Sequence, residues 1–291
     1  MEVNLAFGQN GLRIKLPKEA VPTIIQKPEI KIPQDQKAVI NNAMSDPIGS
    51  LKLINLAGAG KTVCILVCDI TRPVPNHLFL RPLIEELIIA GVHQKNILII
   101  IATGLHRPNE GAELEELIGD SWVIRNIKIQ NHFARDDLSH SILGKTKSRG
   151  VPVALDKRFV EADIKIVTGL VEPHFMAGYS GGRKVVAPGI AHHETIRSFH
   201  SSRFMGSPNA TSCNLENNPL HEEQLEIISM LDGPVLALNT VIDECRNLIF
   251  ASFGEIIKSH MVAVDFARTC CEISIGKKFK TVLTSSAGYP L

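Results

Sequence analysis

Residues 62–73 read TVCILVCDITRP: an unbroken apolar and β-branched run that ends abruptly in an acid, a hydroxyl and a guanidinium. A run this short and continuous fits a strand buried on both faces, as in parallel sheets. The pattern returns at 96–102, NILIIIA, which runs into TGLHRP, and at 162–168, ADIKIVT, which runs into a long glycine-rich loop. Helical spacing separates these runs: Leu83, Ile84, Leu87 and Ile88 before Gly91, a second helix around 110–117, and a third over 193–199. Buried strands alternating with amphipathic helices predict an α/β fold, a largely parallel doubly wound sheet flanked by helices.

Outward from this centre the signals weaken. Toward the C-terminus we expect strands at 234–241, 247–252 (a hairpin partner) and 280–285, with a helix over 255–269. At the N-terminus NLAFG and LRIKLP, joined through Gly8–Gly11, predict a hairpin, a short β-rich segment. A Lys- and Pro-rich connector, a helix near 34–44, a break at Asp46–Pro47 and a short helix over 51–56 lead into the first buried strand.

Lys and Arg total 31 against 30 Asp and Glu. A balance this even gives no reason to expect nucleic acid or an anionic membrane as partner. The six cysteines form no CxxC pair or zinc-ribbon spacing, so a reduced, cytoplasmic setting is expected, with Cys64 and Cys68 in the core. The opening MEVNLAFGQNG lacks the apolar core of a secretory signal. No apolar stretch approaches the length of a bilayer span.

In open α/β sheets ligands bind at the carboxyl ends of the strands, where the three loops carry their polar residues. Asp69 can accept from ribose hydroxyls, and Thr71 and Arg72 can hold a phosphate or carboxylate; an Asx-type turn with a solvated Arg72 is the other reading of the same residues. His106, just past the second strand, has the titration range of a general base, though a lone histidine is more often structural. The third loop, GLVEPHFMAGYSGGRK at 169–184, is the densest. Gly181 and Gly182 free the backbone to turn amides toward an anion, and Ser180, Arg183 and Lys184 add donors. Neither GxxxxGK[ST] nor GxGxxG is present. His193 and His200 are seven apart and share a helical face, but without HExxH a hydrolytic zinc site fits poorly.

Taken together, DPIGS at 46–50, DxTRPVP at 69–75, ATGxHRP at 102–108, ExHFxAGxSGGRKxxxPGIA at 172–191 and GYPL at 288–291 resemble the nickel-dependent lactate racemase family. The resemblance implies a nickel-pincer nucleotide cofactor, anchored covalently by Lys184, with His200 completing a roughly planar nickel site. It implies His106 and His174 as paired acid/base residues: one takes the hydroxyl proton of a small 2-hydroxy acid while hydride leaves the α-carbon, and either face is then reduced. Asp69 would bind ribose, and Thr71, Arg72, Ser180, Gly181 and Gly182 would meet phosphate or substrate anion. Cofactor-synthesis enzymes are the implied partners.

On this basis residues 1–270 are expected to form the cofactor-binding domain, and 271–291 a linker and the start of a second domain. Family members continue beyond this point, so a separate C-terminal domain or self-association is expected, with negligible racemisation by the chain alone. The competing readings are a non-catalytic nucleotide- or phosphate-binding module and, weakest, a metal-dependent hydrolase.

Overall fold

A computed structural model describes residues 1–5, 11–26 and 28–284. The chain forms two compact units, Met1–Glu29 with Cys271–Leu291, and Ile30–Cys270. In the smaller unit β1 (Glu2–Leu5) pairs antiparallel with β2 (Leu12–Lys15). Most of the expected turn at Gly8–Gly11, and the GYPL motif at 288–291, lie outside the described residues. Residues 280–284 form no strand; Val282 and Leu283 are exposed there, with no neighbouring strand among the described residues to bury them. Residue 285, the end of that expected strand, also lies outside the described residues.

The larger unit opens with α1 (Gln36–Ser45), α2 (Leu53–Leu56), β3 (Val63–Cys68), α3 (Asn76–Ile89) and β4 (Ile97–Ala102). It continues through α4 (Ala112–Ile118), α5 (Ser121–Asn126), β5 (Lys128–Asn131), β6 (His140–Lys145), β7 (Pro152–Asp156) and α6 (Lys157–Val160). Next come β8 (Ile164–Leu170), β9 (Pro173–His174), β10 (Gly178–Tyr179), α7 (Arg183–Val186), α8 (His193–Phe199) and α9 (Ser202–Met205). Helix α10 (Pro219–Ser229), β11 (Val235–Ile242), β12 (Leu248–Glu255) and α11 (Ile256–Cys271) complete it.

Six strands make the central sheet in the order β12-β11-β8-β3-β4-β5. All neighbours are parallel except the β11–β12 hairpin at one edge. Strand periodicity divides the apolar run of β3 between two cores: Val63, Ile65 and Val67 face one, Cys64 and Leu66 the other. In β4, Ile97, Ile99 and Ile101 follow the first core and Ile100 the second. Both faces are therefore covered by helices, which is why these strands are apolar throughout. Lys165 sits inside β8, buried, because its ammonium donates to the carbonyls of Ala162 (2.7 Å) and Asp232 (2.8 Å).

Chain direction across the sheet reverses at β3, with β4 and β5 on one side and β8 and β11 on the other. That reversal opens a crevice beyond the carboxyl ends of β3 and β8. The DPIGS motif lies elsewhere and is a strand-edge clamp. The Ile48 amide donates to the Phe253 carbonyl (2.8 Å), and the Glu255 amide donates to the Ile48 carbonyl (2.9 Å). Gly254 lies between them at φ +144°, where a Cβ would stand 2.2 Å from the Ile48 oxygen.

Among the described residues no helix is long and apolar enough to cross a membrane. Substituting Gly254→Ala should cost about 2–3 kcal/mol, since backbone must move. Gly58→Ala, which meets open space, should stay within about 0.5 kcal/mol. Urea midpoints at unchanged slope test the pair.

Candidate active site

The loops after β3, β4 and β8 enclose a cavity of about 450 Å³. Asp69, the first residue beyond β3, is buried. Its Oδ1 accepts from the Thr71 hydroxyl (2.6 Å), and its Oδ2 lies 2.5 Å from His106 Nδ1. The β3 loop is thus a carboxylate-centred turn, and Thr71 is held within it. The Ile70 amide donates to Asn109 Oδ1 (3.1 Å), joining this loop to the one after β4. The Gly104 amide donates to the Gly189 carbonyl (2.9 Å), joining the β4 loop to the segment after α7.

Besides the ribose contact expected of it, Asp69 holds Thr71 and His106 through its two oxygens. A carboxylate at Nδ1 keeps the proton on that nitrogen and leaves the His106 Nε2 lone pair available. His174 is arranged oppositely. Its Nδ1 accepts from the Ala177 (3.2 Å) and Met176 (3.4 Å) amides, so the ring proton belongs on Nε2. Burial, then the charges of Lys184, Arg72 and Arg183, pushes His174 down to about 3. The two histidines line one cavity with opposite ring nitrogens protonated.

Arg72 is partly exposed, as the turn reading expects, but it is also paired: Nη1 donates to Glu172 Oε1 at 2.6 Å. Ser180 is buried and its hydroxyl is spent on the Leu170 carbonyl (2.7 Å), which closes the β8 loop. Any anion at this loop would therefore meet backbone rather than the Ser180 side chain. Gly181 (φ +77°) and Gly182 (φ +47°) tolerate no side chain, because a Cβ would sit 2.7 Å from Val171 Cγ2 and from the His260 ring respectively.

Arg183 is a correction. Expected to offer donors to an anion, it is wholly buried behind the loop. Its Nε donates to His221 Nδ1 (2.7 Å), Nη2 donates to the Ala177 carbonyl (3.2 Å), and Nη1 lies 3.0 Å from His260 Nε2. Burial pushes its guanidinium down to about 9.

Lys184, the next residue, lines the cavity and makes no ion pair among the described residues. Burial, then Arg72, pushes its amine down to about 8. His200 caps the end of α8 and lines the cavity too. Its Nδ1 donates to the Ile196 carbonyl (2.9 Å), leaving Nε2 as a lone-pair donor, the arrangement usual for a metal-binding imidazole. Burial raises the thiol of cavity-lining Cys68 to about 11.

Gln224 escaped the sequence reading. Its Nε2 donates to the Ala187 carbonyl (2.9 Å), while Oε1 is buried with no partner among the described residues, in the wall of the cavity. The signal was present: Asn218-Pro219 caps and starts α10. Gln224 then stands one turn beyond Leu220, a polar residue on a buried face.

Residues 7–213 match the model of the lactate racemase N-terminal domain. The chain is 32% identical over 291 residues to a lactate racemase of Thermoanaerobacterium thermosaccharolyticum, covering 99% of this chain and 67% of the relative. It is 33% identical over 263 residues to a lactate racemase of Lactiplantibacillus plantarum, covering 88% and 59%. The solved apoprotein of the T. thermosaccharolyticum lactate racemase superposes with a TM-score of 0.83 at 31% identity, covering 93% of this chain and 63% of that one.

Labelling of Lys184 by trinitrobenzenesulfonate, followed by peptide mass analysis, should rise through a midpoint near about 8. Arg72→Met removes a nearby positive charge, so the midpoint should move up. It should stay below the ordinary 10.5, because burial is the larger cause. A wild-type midpoint at 10.5 would contradict this description.

Proposed function

This chain belongs to the lactate racemase N-terminal domain family, and from that premise we propose that it racemises or epimerises a small 2-hydroxy acid with a nickel-pincer nucleotide held in the cavity. The observation that carries the reading is the opposite tethering of two histidines over one cavity: His106 Nδ1 against the Asp69 carboxylate, His174 Nδ1 accepting from the Ala177 amide, so that Nε2 is the lone-pair atom of the first and the protonated atom of the second. The chain spans 67% and 59% of the length of the two relatives, so the activity is assigned here as a proposal.

The residues present fit the cofactor. Lys184, an amine with a depressed pKa, would anchor it covalently. His200, whose Nε2 is left as a lone-pair donor, would supply the protein ligand to nickel. The orphaned Gln224 Oε1 suits a ribose hydroxyl, and the backbone of Gly181, in the cavity wall, suits the phosphate, whereas Gly182 packs against His260 and does not line the cavity. When bound, the nickel-pincer nucleotide supplies the centre that accepts the substrate α-hydrogen with its electron pair and gives it back.

The remaining chemistry is the protein's. His106 Nε2 takes the substrate hydroxyl proton, and the Asp69 carboxylate steadies the imidazolium that forms. Arg72, tethered through Nη1 to Glu172, turns its other nitrogen toward the substrate carboxylate. His174 approaches with a proton on Nε2. His174 would serve the opposite enantiomer; with Lys184 covalently held, one of the charges that lower its pKa would be lost, while burial, the larger cause, would stay.

The test is protein matured together with cofactor-synthesis enzymes and assayed on enantiopure 2-hydroxy acids by chiral chromatography. Wild type should gain mass at Lys184 and racemise only when a C-terminal domain from a full-length relative is supplied; Lys184→Ala should do neither. Asp69→Asn should keep the adduct but lose about 10²–10⁴ in turnover with that domain present. A mass gain without turnover of any 2-hydroxy acid even with that domain supplied would support a binding module and overturn the enzymatic reading.

A further inference from the structure

A second group of histidines gathers at the opposite end of α8 from His200. His192 caps the start of this helix and His193 is its first residue. His192 Nε2 lies 2.9 Å from Asp137 Oδ1, and donor atoms of Asp137, His192 and His193 all fall within 4.8 Å of one another. The rings of His192 and His193 are 4.2 Å apart, and His140 stands edge-on to His192 at 5.0 Å.

Two of these imidazoles carry an unexplained nitrogen. His193 Nδ1 and His140 Nε2 are buried with no partner among the described residues. His140 Nδ1 faces the Asp136 carbonyl at 2.8 Å and so must hold the ring proton. That bond leaves Nε2 as a desolvated lone pair, oriented by a carbonyl as metal-bound histidines usually are. His132, the next ring in the row, differs: both its nitrogens are engaged, by Asp156 (3.2 Å) and the Ala191 carbonyl (3.1 Å).

We propose that Asp137, His192, His193 and His140 form a divalent-metal site of zinc-like preference, separate from the active-site cavity, that fastens the segment 137–140 to α8. Three imidazoles and a carboxylate suit Zn²⁺, Co²⁺ or Ni²⁺ rather than Ca²⁺ or Mg²⁺. Donor atoms around a tetrahedral ion lie about 3.4 Å apart for bonds of 2.0–2.1 Å, so the Asp137, His192 and His193 donors close by up to about 1.4 Å, and His140, outside that group of three, has farther to come. Asp137, whose side chain is 82% exposed, has room to make that movement. His192 enters through Nε2 and gives up only a long cap from the Glu194 amide (3.4 Å). Four protein donors complete the coordination, so the site is a structural one.

Chelator-stripped protein titrated with Co²⁺ alone, near neutral pH, tests this through the visible bands of tetrahedral cobalt and through equilibrium dialysis. One equivalent should bind with those bands. His193→Ala should abolish them, and Asp137→Asn, at an exposed position, should weaken binding at least tenfold without altering the circular dichroism. His200→Ala should keep the cobalt bands, so failure of the nickel assignment at His200 stays distinguishable from failure here. Zn²⁺ should raise the Tm of wild type and not of Asp137→Asn. The proposal is overturned if wild type gives no stoichiometric band, if both Asp137→Asn and His193→Ala retain it, or if His200→Ala removes it.

Discussion

A guanidinium buried without a carboxylate partner among the described residues organises the site. Taking Arg183 out of water is expensive, and only a full set of acceptors makes it tolerable. Those acceptors come from separate parts of the chain: the Ala177 and Tyr179 carbonyls of the β8 loop, His221 on α10, and His260 on α11. His260 donates from Nε2 to the Ser180 carbonyl at 2.8 Å, which leaves Nδ1, 3.5 Å from Arg183 Nη1, as the ring's acceptor and holds the glycine loop from behind. Burial pushes His221 down to about 3 and His260 well below its usual range, which keeps both able to accept from the cation. By fixing α10 the same cation fixes Gln224 in the cavity wall. By fixing the loop it fixes His174 and Lys184.

Desolvation does the corresponding work on the cavity side. Burial is the largest cause of the lowered pKa at both His174 and Lys184, and the neighbouring positive charges add to it. The outcome is a pair of basic side chains that release protons more readily than usual beside His106, whose Nδ1 is tied to a buried carboxylate. Burial, cation and carboxylate together give one cavity a nucleophilic amine, a bare imidazole nitrogen and a protonated one.

What was legible in the sequence follows burial. β3, β4 and β8 are apolar on both faces and could be read nearly to the residue, except that β8 runs on through Gly169 and Leu170, which look like loop. β5 reads KIQN because it is an edge strand, and β6 carries a register irregularity between Ile142 and Gly144 that blurs its alternation; neither was foreseen. The motif residues of the three loops do converge on one cavity. Their individual duties were less legible, because hydrogen bonds across distant positions decide them. Asp69 and His106 are 37 residues apart, and Arg183 and His260 are 77 apart. No local pattern distinguishes a lysine that faces the cavity from the arginine beside it that does not.

The account stands on the opposite protonation of His106 and His174, which imidazole ¹⁵N chemical shifts report directly. In histidine-labelled protein near neutral pH, with His106→Gln and His174→Gln used for assignment, His106 should show a protonated Nδ1 and an unprotonated Nε2. His174 should show the reverse, an unprotonated Nδ1 and a protonated Nε2. Two histidines with the same nitrogen bare would contradict the arrangement on which the proposed chemistry rests.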